Sequence, residues 1–111
     1  MMEFPNRENA YIPLSKLKDY LLSETHSVGK SKSKLLRSFG FNELNIDMLM
    51  QGLISIAHSG EVKEVLSSPH GVKYVIDGLL GTPAGGSIKM RTIWITDKDQ
   101  VRPRFVTAYP V

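Results

Sequence analysis

The chain contains no cysteine among its 111 residues. Disulfide bonds, thiolate metal sites and cysteine nucleophiles are therefore excluded. Aromatic residues are few, at 8%, and no apolar run approaches the roughly 18 residues of a membrane-spanning helix. The polar start of the chain, residues 1–9, has no apolar signal-peptide core. We expect a cytoplasmic protein that does not associate with a membrane.

The residues that are present are typical of one folded domain. Hydrophobic residues make up 41% of the chain and charged residues 23%, which excludes wholesale disorder. The formal net charge is +3, and Lys and Arg exceed Asp and Glu in residues 15–37 and 89–104. Two basic stretches favour a polyanionic ligand, and nucleic acid is the usual one. A solubilising surface is the competing interpretation.

Hydrophobic spacing predicts helices in the first half of the chain and strands in the second. We expect residues 1–10 to form a flexible N-terminal tail and residues 11–111 to form a single domain. The apolar stripes predict three helices. The first spans residues 15–22 (capped by Ser15, with Tyr20 in the stripe), the second spans residues 32–39, and the third runs from Asn42 or Asn45 to about residue 58. Strands are predicted at residues 61–66, 72–80, 87–96 and 104–109. This order predicts an α+β fold, with about three N-terminal helices followed by a four-stranded antiparallel meander sheet.

Familiar catalytic motifs are absent from the sequence. It has no GxxxxGK or GxGxxG phosphate loop and no HExxH motif. The three histidines, His26, His58 and His70, are too scattered to indicate a metal triad. We therefore predict neither a metal site nor a cofactor.

Three stretches together resemble a bacterial family known only as a domain of unknown function. The stretches read HSVGKSK from His26, HGVKYVI from His70, and RTIWI from Arg91 followed by RFVTAYP from Arg104. Members of that family read HPVGRSK, YGTKYVV, VRTVWI and LVTAYP in the same order. Ser27 replaces the usual proline of the family, and His70 replaces its usual tyrosine. The resemblance covers the chain from about Tyr11 to Pro110.

This family pattern is similar to that of the barnase–EndoU–colicin–RelE-like superfamily of metal-independent ribonucleases and toxins. The resemblance implies a toxin-like endoribonuclease of a toxin–antitoxin or conflict system. RNA would be its substrate, and a small antitoxin or immunity protein its partner. The first alternative is a non-catalytic domain that binds a protein or RNA through a basic groove. The second is a purely structural relative of these enzymes.

Metal-free RNA cleavage needs one group to take the proton of the 2′-hydroxyl and another to protonate the leaving oxygen, with cations to stabilise the phosphorus centre. His26 is the predicted base or acid, because histidine titrates near neutrality and this one precedes a helix start. Arg91 is predicted to bind the phosphate through its planar fork. Thr107 and Tyr109 are predicted to orient the phosphate or donate a proton.

Four further residues are predicted to contact the substrate: Lys30, Lys32, Lys73 and Thr92. Each candidate also has a structural interpretation, such as a cross-strand ion pair of Arg91 with Asp77 or a plain strand-forming role for Thr92. Simple alternation predicts that Thr107 and Tyr109 share a face with Phe105. Whether Arg91 meets them depends on a strand register that the sequence does not determine.

Overall fold

A computed structural model of the chain describes residues 2–23, 25 and 29–111. The helices are α1 (Leu14–Lys16), which continues into a π-helical segment (Leu17–Leu21), α2 (Gly29–Ser38) and α3 (Ile46–Ser59), with 3₁₀ turns at Arg7–Asn9 and Glu43–Asn45. The strands are β1 (Glu61–Ser68), β2 (Gly71–Gly81), β3 (Ser87–Asp97) and β4 (Arg104–Pro110). The predicted α+β fold is confirmed.

The four strands form one antiparallel sheet in the order β1-β2-β3-β4, as short connections between consecutive strands favour. β2 and β3 occupy the centre and pair without a shift from Gly71↔Asp97 to Gly81↔Ser87. Their connection contains Gly85 and Gly86 at φ 97° and 79°, a conformation that glycine adopts without steric cost.

Among the described residues, the helices are too short or too polar for any of them to span a membrane.

A β-bulge in β4 determines which side chains share a face of the sheet. Ile93 pairs with Thr107, whereas its neighbour Trp94 pairs with Phe105, so Val106 is the extra residue on β4. Phe105 therefore points into the core with Trp94, while Thr107 points to the opposite face. The prediction that Thr107 and Tyr109 share a face with Phe105 was wrong, because simple alternation does not anticipate the extra residue.

The core lies between the helices and one face of the sheet, and Trp94 is its largest fully buried side chain. The Trp94 ring meets Phe105 edge-on at a centroid distance of 5.3 Å. Its indole Nε1 donates to Thr92 Oγ1 at 2.8 Å, and Thr92 Oγ1 donates in turn to the Ile76 carbonyl at 2.8 Å. These two bonds satisfy the polar atoms that β3 brings into the core, which would otherwise be costly to bury.

The N-terminal residues, for which a flexible tail was expected, pack against this core. Phe4 is 3% exposed, and its ring lies 4.8 Å from that of Tyr74. Arg7 Nε donates to the Ala57 carbonyl at 2.8 Å, and Nη2 donates to the Gly60 carbonyl at 2.9 Å. Arg7 thereby satisfies carbonyl groups at the C-terminal end of α3, which lack partners within the helix.

Two helix starts also differ from the predictions. The first helix begins at Leu14 with Pro13 at the N-cap position and no side-chain cap, so the predicted cap at Ser15 was wrong. The second helix begins at Gly29, three residues before the predicted start. This earlier start places Lys30 and Lys32 in the first turn of α2 rather than at its entrance.

Replacing Phe4 with Ala should lower the free energy of unfolding by about 3 kcal/mol, because it removes a buried aromatic side chain from the core. Met2→Ala is the control, since Met2 is 48% exposed, and it should change stability by less than about 0.5 kcal/mol. Urea unfolding followed by tryptophan fluorescence measures both. Equal stability of the Phe4→Ala variant and the parent protein would show that the N-terminal segment does not belong to the core.

Candidate functional site

Arg91 lies on the face of the sheet opposite to α3. Its strand, β3, is flanked by β2 and β4, so Arg91 has a cross-strand neighbour on each side. These neighbours are Asp77 of β2 and Tyr109 of β4. The next pair on this face joins Ile93 to Thr107. The register therefore places Arg91, Tyr109 and Thr107 next to one another, the arrangement that the predicted site required.

The Arg91 guanidinium is held in place by a two-point ion pair with Asp77. Arg91 Nε donates to Asp77 Oδ1 and Nη2 donates to Oδ2, both at 2.9 Å. The Asp77 side chain is 3% exposed and the Arg91 side chain 34%, so the carboxylate is buried while the guanidinium reaches solvent. Nη1 takes no part in this ion pair, and it belongs to the edge of the fork that an anion can approach.

The ion pair keeps both groups charged. The hydrogen bond to Asp77 raises the pKa of Arg91 above its ordinary value, and Tyr109 contributes in the same direction. The hydrogen bond from Arg91 lowers the pKa of Asp77 below its ordinary value, against the opposing effect of burial. Arg91 is thus a permanent, oriented cation, which is the property that stabilisation of a phosphate requires.

Residues from the helical half of the chain complete the site with hydroxyl groups and cations. Tyr20, from the π-helical segment, has its hydroxyl 3.1 Å from Thr107 Oγ1. Lys16 Nζ lies 5.3 Å from the centroid of the Tyr20 ring, and Lys32 Nζ lies 5.3 Å from that of the Tyr109 ring. Each tyrosine thus has an ammonium group over its ring, at a distance typical of a cation–π contact.

Tyr20 was missed as a site residue because its spacing places it in the apolar stripe of the first helix. Its ring is half-buried, so that assignment describes the ring but not the hydroxyl. The only local signal was Lys16, four residues earlier, which the helical period places on the same side. No local pattern could indicate the contact with Thr107, which is 87 residues away along the chain.

The remaining predicted residues have different positions. Thr92 is fully buried in the core, so the prediction that it contacts substrate was wrong: it alternates with Arg91 along β3 and points the other way. Lys30 is exposed in the first turn of α2. Lys73 is exposed on the face of Arg91, but it pairs with Ile95, four residues or about 13 Å along β3. His26 lies outside the described residues.

A second ion pair on the same face resembles that of Arg91. Arg104 Nε and Nη2 donate to the two carboxylate oxygens of Asp97, both at 3.1 Å. The Arg104 side chain is 34% exposed, like that of Arg91. Arg104 pairs with Ile95, so it lies about 13 Å along the sheet from Arg91. In the described part of the chain, no three His, Asp or Glu side chains are arranged to hold a metal ion.

Comparisons with known proteins identify a family and a fold. A family model described as "Domain of unknown function (DUF6883)" matches residues 3–111. Because this match spans nearly the whole chain, the protein belongs to that family. No curated protein matches the sequence.

The fold is shared with a chain of a solved structure described as a contact-dependent growth inhibition toxin–immunity protein complex from Klebsiella pneumoniae 342. The TM-score is 0.73 at 16% sequence identity, and the match covers 95% of this chain and 96% of that chain. At this level of identity the similarity establishes a common fold over nearly the whole of both chains.

Replacing Asp77 with Asn should lower the free energy of unfolding by about 2 kcal/mol near neutral pH, because Arg91 loses its charged partner in a largely buried pair. The pKa of Asp77 is lowered from 3.8, so its contribution is complete above that value and is lost as the pH falls through the folded-state pKa. The stability difference between the two proteins should therefore narrow below about pH 4.

Asp97→Asn is the matched control for this prediction. The Asp97 side chain is 39% exposed, and an exposed ion pair contributes less than about 1 kcal/mol. The free energies of unfolding of the parent protein and the two variants are measured by urea unfolding between neutral and acidic pH. A difference between Asp77→Asn and the parent protein that stays constant down to acidic pH would contradict the assigned ion pair.

Proposed function

We propose that this member of the DUF6883 family is a toxin-like endoribonuclease that cleaves RNA without a metal ion. The observation that carries the proposal is the Arg91 guanidinium, held by Asp77 and adjacent to Tyr109 and Thr107 on an open sheet face. The sequence resemblance to the ribonuclease and toxin superfamily supports it. The fold shared with a chain of a toxin–immunity protein complex is consistent with it.

In the proposed reaction, the 2′-oxygen of one nucleotide attacks its own 3′-phosphate. The O2′–P bond forms and the P–O5′ bond breaks, so the products are a 2′,3′-cyclic phosphate and a 5′-hydroxyl end. Negative charge accumulates on the non-bridging oxygens as phosphorus becomes five-coordinate. Arg91 Nη1 would donate to one of these oxygens, and Lys32 would add a second positive charge from the side of Tyr109. Because Asp77 already orients Arg91, little reorganisation is needed when the charge develops.

Two protons must move in this reaction. One leaves the 2′-hydroxyl, and His26 is the residue that we assign to accept it, on the basis of its type and its sequence position alone. The other must reach the departing 5′-oxygen. The Tyr109 hydroxyl is our candidate donor because Tyr109 is the cross-strand neighbour of Arg91. The Tyr20–Thr107 hydroxyl pair would hold a second phosphate oxygen.

A protein with a toxin-like activity needs a partner that neutralises this activity. The Klebsiella complex pairs a toxin with an immunity protein, and we propose that this domain also has a small cognate immunity or antitoxin protein. Because the site carries Arg91, Lys32 and Lys16 in a chain of net charge +3, we expect the partner surface that meets it to be acidic. A non-catalytic domain that binds RNA through the same cations is the alternative, and it would retard RNA in a gel without producing fragments.

Arg91→Lys should reduce the rate of RNA cleavage by about 10²-fold, because it keeps the charge but loses the oriented fork. Arg104→Lys is the matched control: Arg104 has the same two-point geometry and the same 34% exposure, but lies outside the site. Both variants and the parent protein are incubated with tRNA in EDTA, and fragments are quantified over time. An equal effect of the two substitutions would show that Arg91 has only a structural role.

Tyr109→Phe should slow cleavage by at least about 10²-fold, because it removes the proposed proton donor and keeps the ring beneath Lys32. Tyr11→Phe is its control, since Tyr11 is also half-buried and lies under a cation, Arg102, 4.3 Å from its ring centroid. The same tRNA assay measures both rates. An unchanged rate of cleavage by Tyr109→Phe would show that another group donates the proton.

A further inference from the structure

A cleft of about 230 Å³ lies beside the candidate site, between α2 and the end of β4. Its apolar lining includes Leu36, Met90 and Ala108, each 2% exposed. Its polar lining comes from Ser31, Lys32 and Tyr109. Lys32 and Tyr109 also belong to the candidate site, so the cleft adjoins the site at the edge strand β4. Met90 and Ala108 face the helices, on the opposite side of the sheet from Arg91.

The lining of the cleft fits a flat ligand that is apolar on its faces and polar at its edge. The buried apolar side chains close the floor of the cleft, and the Tyr109 ring offers a surface on which a planar group can stack. The Lys32 ammonium can only donate hydrogen bonds, whereas the Ser31 hydroxyl can donate or accept them. A nucleobase has this combination of apolar faces and a hydrogen-bonding edge.

Tyr109 is the residue that connects the cleft with Arg91. Tyr109 lines the cleft and is directly opposite Arg91 in the β3–β4 pairing, and side chains in such pairs have Cβ atoms about 5 Å apart. A nucleoside attached to a phosphate at Arg91 can therefore extend past Tyr109 at the edge strand β4. The cleft is the recess that this nucleoside can enter.

We propose that the cleft binds the nucleobase of a nucleotide adjoining the scissile phosphate, and that the substrate is consequently single-stranded RNA. A base can enter a recess of this kind only when it is neither paired nor stacked in a helix. The proposal rests on the proposed function for the identity of the phosphate at Arg91. It adds a base subsite and excludes intact double helices as substrates.

The test uses short DNA oligonucleotides that contain a single ribonucleotide, so that only one linkage can be cleaved. One substrate has all its bases, and two others lack the base on the 5′ or the 3′ side of that linkage. The parent protein should cleave one of the two abasic substrates at least about tenfold more slowly than the complete one, since stacking of a base on an aromatic side chain is lost. Equal cleavage of all three substrates would overturn the base subsite and leave the proposed function intact.

A variant that fills the cleft provides the second measurement. Ser31 is exposed at the cleft, so Ser31→Trp should place an indole in the recess without disturbing the core. The Ser31→Trp variant should cleave the complete substrate about tenfold more slowly than the parent protein does. It should cleave the abasic substrate that lacks the bound base at the same rate as the parent protein. Ser55→Trp, at an exposed serine of α3, is the control. Equal slowing of both substrates by Ser31→Trp would contradict occupation of the cleft by the base.

If the proposed function is wrong, the experiment gives a different result from the one that overturns the base subsite. If the parent protein cleaves no oligonucleotide in EDTA, the nuclease assignment fails, and the cleft is then tested by binding of fluorescein-labelled complete and abasic oligonucleotides. Tighter binding of the complete strand, abolished by Ser31→Trp and retained by Ser55→Trp, would support the cleft as a base-binding subsite. Equal binding of the two strands would overturn it.

Discussion

The alternation of side chains along β3 is the constraint on which both the core and the candidate site depend. Met90, Thr92 and Trp94 point toward the helices and are almost completely buried. Arg91, between two of them, points to the opposite face and pairs with Asp77. Any shift of one residue in this register would bury a guanidinium and expose the largest aromatic side chain of the core. The packing of Trp94 therefore also determines where Arg91 lies.

The bulge at Val106 determines which side chains of β4 face the core and which face the candidate site. Without the extra residue, Phe105 and Thr107 would share a face, so packing of Phe105 in the core would also turn Thr107 toward the core. With it, Phe105 packs on Trp94 while Thr107 lies within 3.1 Å of the Tyr20 hydroxyl. The bulge thus joins a residue from the helical half of the chain to the strand that carries Tyr109.

Two chemically similar ion pairs on this face differ in their surroundings. Arg91 has a buried carboxylate partner, the Tyr109 side chain as a neighbour and the cleft nearby, whereas Arg104 has the partly exposed Asp97. A buried carboxylate is retained only when it is fully paired, and breaking its pair is costly. Burial of the carboxylate partner is therefore the feature that distinguishes the Arg91 ion pair from that of Arg104.

The sequence allowed the fold class to be predicted because strong local periodicities determine it. Period-two patterns located β2 and β3 to within a residue or two, and apolar stripes located α3. The site could be predicted only in part, since Arg91, Thr107 and Tyr109 were identified by residue type and resemblance while their proximity depends on register. The bulge at Val106, the Tyr20–Thr107 contact and the packing of Phe4 involve residues far apart in the chain, and no local pattern encodes them. Thr92 was assigned to the wrong role because its hydroxyl group serves the core.

Catalytic cleavage of RNA at the face around Arg91 is what the proposed function requires. Its most direct test is to incubate the protein with a molar excess of tRNA in EDTA and to identify the ends of the products. Fragments with 2′,3′-cyclic phosphate ends, in molar excess over the protein, are the expected products. RNA that remains intact, although retarded by the protein in a gel, would contradict the proposed function and establish a binding domain instead.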